Sequence, residues 1–328
     1  MNKFILDGQK SMNDRVIKYR NLCEVECVPL FSQAWWLDAV AGDANWDVAL
    51  VESGGDIVAA MPYVMRRKHR KVLLGQPPLT QTLGPWLRET GAKGANRLGR
   101  QKDVMQQLIS ALPHYDHFSQ NWHHSQTNWL PFYWAGFSQT TRYTYRLPDL
   151  ADEKKLWADI RENIRSDIRK AQRRFGVQVR SDLRIDDFLR LNAKTFARQG
   201  MPAPDSPELI RRLDDACNER RAGAIFIAED AEGRQHAGVY LVWDKNSAYY
   251  LMGGGDPVLR NSGATSLCVW EAIKFASTVT RSFDFEGSMI EPIERFFRAF
   301  GAEQVPYFTI THTPSWLLKA YYSLRELV

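Results

Sequence analysis

Long apolar runs, cysteines and common catalytic loop motifs are scarce in this sequence, and each scarcity excludes a class of protein. No stretch approaches about 18 consecutive apolar residues, so the sequence predicts no membrane-spanning helix. Met1 to Arg15 is charged around a short apolar patch and does not fit a signal peptide, so we expect a cytoplasmic protein. Four cysteines in 328 residues are too few for a disulfide framework. Neither a G-x-S-x-G elbow nor a P-loop occurs, which disfavours hydrolases and nucleoside triphosphatases.

The sequence also lacks the ligand spacing of a metal site. Four histidines cluster in one polar stretch without a cysteine or well-spaced acidic residues beside them, and the four cysteines do not form the paired knuckles that zinc needs. We therefore predict no metal. The histidines are His114, His117, His123 and His124.

Positive charge is present but local. The net charge is +5, and the excess falls in two patches, at residues 66–71 and 161–174. Such patches suit an anionic ligand such as a pyrophosphate, a nucleotide-sugar or RNA, and we expect no DNA partner. Two solvated faces without a ligand are the alternative.

Three segments recur in the same order in the two halves of the chain. Val48–Val64 aligns with Phe226–Val242, and each copy has a strand, an acidic turn with glycine, and a second strand, which predicts a hairpin. Strand-like segments follow at Phe118 and Phe283, and then a phenylalanine-rich segment with glycine in each half. Two copies of one α+β unit predict domains at residues 1–148 and 149–328.

One strongly amphipathic helix is predicted between the copies. Its apolar stripe runs from Leu156 to Phe175 at intervals of three and four residues. Arg161, Arg165 and Arg169 form a parallel row, where forked contacts with phosphate are favourable. A solvated helix face is the alternative for this row.

With this layout, the sequence resembles the GNAT acyltransferase superfamily, and more narrowly its Fem-like branch with tandem domains. The resemblance implies an α/β (α+β) fold of two GNAT-like domains, each a mixed, mostly antiparallel sheet flanked by helices. The segments that carry it are Phe31–Leu37, Asn163–Ala171, Thr195–Gly200, Gly223–Asp230, Tyr249–Gly255 and Phe283–Met289, the last leading to Phe296–Ala302.

The resemblance further implies an N-acyltransferase that moves an acyl or aminoacyl group to an amine. The co-substrate would be acyl-CoA or aminoacyl-tRNA, with no permanently bound cofactor. The acceptor would be a small molecule, a sugar, a peptide or a peptidoglycan precursor, which fits cell wall biogenesis. The first domain would be a degenerate copy that shapes the acceptor site, and Ser315–Val328 would pack back on it. The rival is a GNAT-like protein that binds RNA or another anionic ligand without catalysis.

A donor site is expected where a glycine-containing turn opens a helix. In GNAT proteins the donor pyrophosphate lies on backbone N–H groups within R/Q-x-x-G-x-G/A, and helix N-termini bind anions. The nearest match here departs from the pattern at its last position, where threonine stands, and a turn that merely caps a helix is the alternative. The residues of this match are Arg260, Gly263, Ala264 and Thr265.

Candidate catalytic groups surround a probable strand in the second copy. Glu286 alternates with Asp284 there, and a buried carboxylate suits a base that deprotonates the attacking ammonium, with a structural salt bridge as the alternative. Ser288 follows at the strand end, where it would hydrogen-bond substrate. The tyrosine acid of many GNAT enzymes is replaced by phenylalanine in both copies. A leaving tRNA ribose hydroxyl, a different tyrosine such as Tyr250 or Tyr307, or lost catalysis would each account for this.

The remaining expected substrate contacts come from three kinds of position. Arg165 and Arg169 would hold phosphates, as the equivalent region does in Fem-like enzymes. Gly253 and Gly254 form a strand end that admits close backbone approach, for substrate or for a flexible turn. Trp36, on a helix near the start, is a large apolar residue expected to contact substrate.

Overall fold

The chain divides by its contacts into two compact units. The computed structural model describes residues 3–198, 200–287 and 289–319, with side chains from residue 14 onward. One unit contains the residues up to 142 and those from 306 onward, and the other contains residues 143–305. Among the described helices, none is both long and apolar enough to cross a bilayer.

The first unit begins with helices and continues into a mostly antiparallel sheet. Its strand order is β1-β2-β3-β5-β12, and β4 pairs with β2. A short 3-10 helix, Leu30–Ser32, precedes α2. Its elements are α1 Lys3–Val25, α2 Ala34–Ala41, β1 Trp46–Ser53, β2 Asp56–Lys68, β3 Lys71–Gly75, β4 Trp86–Leu87, α3 Gly94–Ala111, β5 His117–Asn121, α4 Leu130–Trp134, the opening half of β6 Ser138–Leu147 and the closing half of β12 Glu303–His312.

The second unit has the same kind of layout and strand order β6-β11-β10-β9-β8-β7. A 3-10 turn, Arg260–Ser262, leads into its central helix. Its elements are the closing half of β6, α5 Glu153–Asp159, α6 Glu162–Arg174, β7 Gln178–Arg180, α7 Ile185–Arg198, α8 Pro207–Arg220, β8 Gly223–Glu229, β9 Gln235–Trp243, β10 Ser247–Gly255, α9 Ala264–Val279, β11 Ser282–Asp284, α10 Glu291–Arg298 and the opening half of β12.

The repeated segments of the sequence take corresponding places in the two units. The hairpins β1–β2 and β8–β9 are both antiparallel. In each unit a helix then connects two strands that pair in parallel, β3 with β5 and β10 with β11. The predicted fold class, two tandem GNAT-like domains with mixed, mostly antiparallel sheets, is confirmed.

The unit boundaries follow from strand pairing at the end of the chain. The closing half of β12 pairs with β5 over Thr309–His312, so the chain re-enters the first unit at Pro306. The sequence repeat instead puts the division at residue 148, close to where β6 ends.

The predicted single helix from Leu156 to Phe175 is wrong in one respect, because it is broken in two. Ile160 and Arg161 have extended backbone between α5 and α6. The break lets the Arg161 N–H donate to the Ala299 carbonyl at 2.9 Å and leaves Ile160 buried. Arg161 is thereby the N-cap of α6 and leaves the row formed by Arg165 and Arg169.

The core of the second unit lies between its sheet and α9. The helix buries nine of its side chains, including Leu267, Val269 and Ile273. They pack with Phe283 and Phe285 on one face of the sheet. On the other face, α7 lies against glycine positions of β9 and β10, where absent side chains let the helix approach the strands closely.

Candidate functional site

Strand β10 extends beyond its parallel neighbour. The two strands pair only from Ser247 to Tyr249 against Ser282 to Asp284. β11 then ends, whereas β10 continues along β9 to Gly255. Among the described residues, no strand pairs with this continuation on its β11 side. We call this place the β10–β11 opening, and its exposed edge offers backbone groups to an extended ligand.

The corresponding opening in the first unit is filled by the chain itself. Beyond β3, the Gln76 side-chain oxygen accepts a hydrogen bond from the Asn121 N–H at 2.7 Å. The Leu83 N–H donates to the Asn121 carbonyl at 2.6 Å, and Leu83 forms a parallel bridge with Trp122. Residues 76–83 therefore occupy the edge that a ligand would need, and only the second unit keeps it open among the described residues.

Two side chains of α7 cover part of the β10 edge. The Asn192 amide donates to the Gly253 carbonyl at 2.9 Å, and the Gly255 N–H donates to the Thr195 hydroxyl at 2.9 Å. A Cβ on Gly254 would lie 2.7 Å from the Asn192 backbone nitrogen. The glycine run is thus needed for helix packing, and Gly253 and Gly254 are not a flexible turn. Sequence reasoning did not assign a role to Asn192 or Thr195.

Tyr250 brings a phenol to the opening. A Cβ on Gly253 would fall 1.8 Å from the Tyr250 hydroxyl oxygen, so this hydroxyl lies directly over the glycine. The Tyr250 ring packs edge-on against Phe297 of α10, with centroids 5.5 Å apart. Burial raises the pKa of Tyr250, which keeps the hydroxyl protonated at neutral pH. The Tyr250 phenol therefore lies beside Phe297, the α10 phenylalanine at the position where the GNAT resemblance predicts a tyrosine.

Glu286 lies in a strained turn just past β11. The sequence places it on a strand with Asp284, but β11 ends at Asp284 and Glu286 has φ of 64°. Its N–H donates to the Asp284 carboxylate at 2.7 Å. Gly287 continues the turn with φ of 61°, and a Cβ there would lie 2.1 Å from the Tyr143 carbonyl oxygen. A non-glycine residue in the left-handed region costs about 1–3 kcal/mol of backbone strain, so the contacts around the turn must hold Glu286 in this conformation.

The Glu286 carboxylate is shielded and incompletely paired. Its Oε2 atom has no hydrogen-bond partner among the described residues. Burial, together with the neighbouring Asp284 carboxylate, holds the pKa of Glu286 well above its ordinary value. Such a carboxylate binds a proton more tightly than a surface glutamate does, which makes it a stronger base when ionised.

Asp284 is held by polar neighbours on strand β6. Thr144 donates to its Oδ1, and the Arg146 guanidinium lies 3.4 Å from its Oδ2. These contacts and the Glu286 N–H lower the pKa of Asp284, but burial outweighs them and the net direction is upward. Tyr249, paired in register with Asp284, has its pKa raised by burial and by the surrounding carboxylates. Asp284 and Arg146 thus form a polar pair that contacts Glu286 through the Asp284 carboxylate.

The N-terminus of α9 is mostly covered by α6. Gly263 has φ of 83°, and a Cβ there would lie 2.3 Å from the Asp167 carbonyl oxygen. Ala264 is buried and its N–H is close to the Ser262 hydroxyl at 3.3 Å, whereas Thr265 is half-buried. Gly263 is therefore needed both for its backbone conformation and for helix packing.

Arg260 lies in the 3-10 turn that leads into this helix, and it is exposed. It makes no hydrogen bond or ion pair with a described residue, so its guanidinium is available to an anion. The other predicted arginines are already engaged. Arg165 pairs with Glu162 at 3.0 Å and donates to carbonyls of α5, and Arg169 pairs with Glu162 at 2.8 Å.

Two further predicted positions belong to the first unit, and a third lies outside the described residues. Trp36 is fully buried in the first unit, where its indole N–H donates to Thr80 at 3.1 Å, so it offers no surface to a substrate. Ser288 lies outside the described residues, as does the C-terminal segment beyond residue 319. Tyr307 belongs to the closing half of β12 in the first unit. Within the described ranges, no three potential ligands are grouped to hold a metal.

Comparison with known proteins relates part of this sequence to a protein family and the fold to several solved structures. Residues 158–292 match the family model for an acetyltransferase (GNAT) domain. A crystal structure of FemX superposes with a TM-score of 0.64 at 12% identity, covering 90% of this chain and 95% of its own. L-PGS from Bacillus licheniformis gives 0.54 at 10% identity, with 96% of each chain covered. A tandem GNAT protein from the clavulanic acid biosynthesis pathway gives 0.52 at 12% identity, with 92% and 95% covered. No curated protein sequence matches the chain.

Proposed function

Residues 158–292 match the GNAT acetyltransferase domain and the chain has the fold of tandem GNAT proteins such as FemX, and from this premise we propose that it is a GNAT N-acyltransferase of the Fem-like branch. In this proposal the activated acyl donor lies in the β10–β11 opening of the second unit. The acceptor is an amine, and Glu286 and Tyr250 exchange protons with the reactants.

The observation that carries the proposal is the difference between the two openings. Residues 76–83 fill the opening of the first unit through bonds to Asn121. The matching edge of β10 has no strand partner on its β11 side from Tyr250 onward among the described residues, and the α7 side chains Asn192 and Thr195 bond only its Gly253 and Gly255 backbone groups. An extended donor needs backbone partners along such an edge, so we expect one donor site per chain.

The reaction begins with a proton transfer to Glu286. The acceptor ammonium gives one proton to the Glu286 carboxylate, and the freed amine lone pair attacks the donor carbonyl carbon. Because the pKa of Glu286 is raised, the proton transfer is less uphill than it would be to a surface carboxylate. The adjacent Asp284 and Glu286 carboxyls also attract a cationic acceptor before reaction.

The reaction ends with a proton transfer from Tyr250. When the tetrahedral intermediate collapses, the bond from the carbonyl carbon to the leaving group breaks. The leaving thiolate or ribose oxygen takes the Tyr250 hydroxyl proton. The attacking nitrogen releases its second proton, which restores the Tyr250 phenol through solvent, and the neutral amide remains on the acceptor. Tyr250 packs with the core on the α9 side, whereas Glu286 belongs to the turn after β11, so acid and base would reach the opening from different elements.

In this proposal the phosphates of the donor bind next to Arg260. The N-terminus of α9 is the usual place for a GNAT pyrophosphate, but here α6 covers much of it. The exposed guanidinium of Arg260, in the turn before α9, would replace part of this anion site by a charge-assisted contact with a donor phosphate. The donor is acyl-CoA or aminoacyl-tRNA, and the acceptor is an amine of a cell-envelope precursor, sugar or peptide.

Calorimetric binding of CoA, acyl-CoA and aminoacyl-tRNA to the full chain tests this proposal. We expect saturable binding of one donor class, with one site per chain and at least tenfold weaker affinity in Arg260→Gln. Arg169→Gln is the matched control, because its guanidinium already pairs with Glu162 and its loss should leave donor affinity within about twofold. RNA binding without any acyl transfer would instead favour the non-catalytic rival.

A further inference from the structure

A cationic hairpin tip stands exposed at one end of the first unit. Met65 to Arg70, at the β2–β3 turn, are all exposed. Arg66, Arg67, Lys68 and Arg70 make no ion pair with a described residue. The turn itself is formed by His69 and Arg70, with φ of 48° and 64°. A two-residue turn of this kind favours Asn-Gly, so a histidine and an arginine are kept there against local backbone preference.

An exposed apolar turn lies beside this hairpin. Lys71 of the hairpin connects it with this turn, because its ammonium contacts the Ser315 hydroxyl at 3.0 Å as well as Asp116 at 2.8 Å. The next residue, Trp316, begins a helical turn and is 75% exposed, and Leu317 is 52% exposed. A tryptophan and a leucine this exposed are unusual on a surface that contacts only water.

The acidic residues of this end do not neutralise the patch. Asp116 is the carboxylate in direct contact, and Lys71 already pairs with it. Lys319 adds a further exposed cation after Leu317. The patch, which we define as residues 65–70 with 316, 317 and 319, therefore combines several unpaired cations with exposed indole and aliphatic groups.

We propose that this patch docks the protein on an anionic lipid bilayer surface. The cations would lie at the level of the lipid phosphates, and Trp316 and Leu317 would enter the interface beneath them. Each cation near an anionic bilayer strengthens binding, while the apolar side chains add a contribution that salt does not screen. RNA also attracts cations and stacks on indoles, but it offers no apolar environment that would stabilise the aliphatic side chains of Leu317 and Met65. This inference is independent of the proposed chemistry in the second unit.

Vesicle co-sedimentation of the full chain tests the proposal. The probes are vesicles of phosphatidylcholine alone and of phosphatidylcholine with phosphatidylglycerol at about 2:1. We expect binding to the anionic vesicles that weakens with salt, and little binding to the neutral ones. Arg66→Gln/Arg67→Gln should weaken it roughly 30-fold, from two lost cation contacts. Trp316→Ala/Leu317→Ala should weaken it even at high salt.

A charge-matched variant separates the patch from net charge. Lys154→Gln/Arg173→Gln removes the same charge from exposed positions of α5 and α6 and should bind vesicles within about twofold of the wild type. Equal losses in both double variants would overturn the proposal, as would absence of binding to anionic vesicles. It would also be overturned if labelled RNA bound through Arg66 and Arg67 while vesicles did not. Circular dichroism checks that each variant is folded.

Discussion

The Glu286→Gln variant tests the burial of the proposed base through stability. The raised pKa means that native Glu286 keeps a proton which the unfolded chain releases above about pH 4.3. Between that value and the native pKa, the native state binds more protons than the unfolded state, so stability falls as the pH rises. The slope reaches about 1.36 kcal/mol per pH unit and vanishes above the native pKa. Glutamine carries no titrating proton and removes this loss.

The size of the effect follows from the unpaired Oε2. Ionisation puts a charge on this shielded atom, which has no hydrogen-bond partner among the described residues, and this costs at least about 1–3 kcal/mol relative to the protonated carboxyl. Glu286→Gln should therefore match the wild type near pH 4, where the carboxyl is protonated and has nearly the same shape as the amide. Above neutral pH it should be more stable by about that amount, which is roughly 3–8 °C in melting temperature for a unit of this size.

Urea unfolding at one-unit steps from about pH 4 to about pH 9, followed by tryptophan fluorescence, measures this difference. Separate transitions for the two units must be fitted separately. Glu219→Gln is the control, because Glu219 is exposed on α8 and should show no pH-dependent gain. Parallel curves for the wild type and Glu286→Gln at every pH would refute the reasoning about burial.

The same variant also separates stability from chemistry. Glu286→Gln should lower kcat about 10²- to 10⁴-fold while donor affinity is unchanged, because the residue acts on the acceptor proton. In the wild type, kcat/KM should rise with pH through the elevated pKa of Glu286 and not near the value of an ordinary carboxylate. Full turnover in a folded Glu286→Gln protein would show that Glu286 is not the base.

Three further predictions concern the opening and its edges. Tyr250→Phe should lower kcat at least tenfold in steady-state assays with little change in donor affinity, since the hydroxyl acts on the leaving group; unchanged kcat would contradict this role. In urea unfolding, Gly263→Ala should destabilise more than Gly233→Ala, because both glycines have left-handed φ but only Gly263 faces a backbone oxygen; equal losses would show that packing against α6 is unimportant. By calorimetry, Arg260→Gln should weaken donor binding about 10- to 100-fold with reduced salt dependence, whereas Arg169→Gln should not, and the reverse order would move the phosphate site to α6.

Several site features were predictable from the sequence because they depend on local pattern. The glycines of β10, the Gly263 turn before a helix and the carboxylates after Phe283 can be recognised from spacing alone. Their roles were not. Gly254 is needed because α7 approaches the strand, and Gly263 is needed because α6 does, and neither helix is a sequence neighbour of its glycine.

The arginine row shows the same limit. Helical spacing put three arginines on one face, but it gave no information on where their charges are satisfied. Glu162, on the same helix, pairs with Arg165 and Arg169, and a backbone bond to Ala299 removes Arg161 from the row. A bond between residues so far apart in sequence leaves no periodic signal.

The sequence by itself determined the duplicated unit, its hairpins and the family resemblance, because side-chain alternation and turn residues are encoded over a few neighbouring positions. The tertiary structure alone decided which copy keeps an open strand edge. Residues 76–83 fill the first opening through bonds to Asn121 and Trp122, whereas β10 runs on with no strand partner on that side among the described residues and is bonded there by α7 side chains. That distinction depends on contacts between segments far apart in the chain, which composition and periodicity do not record.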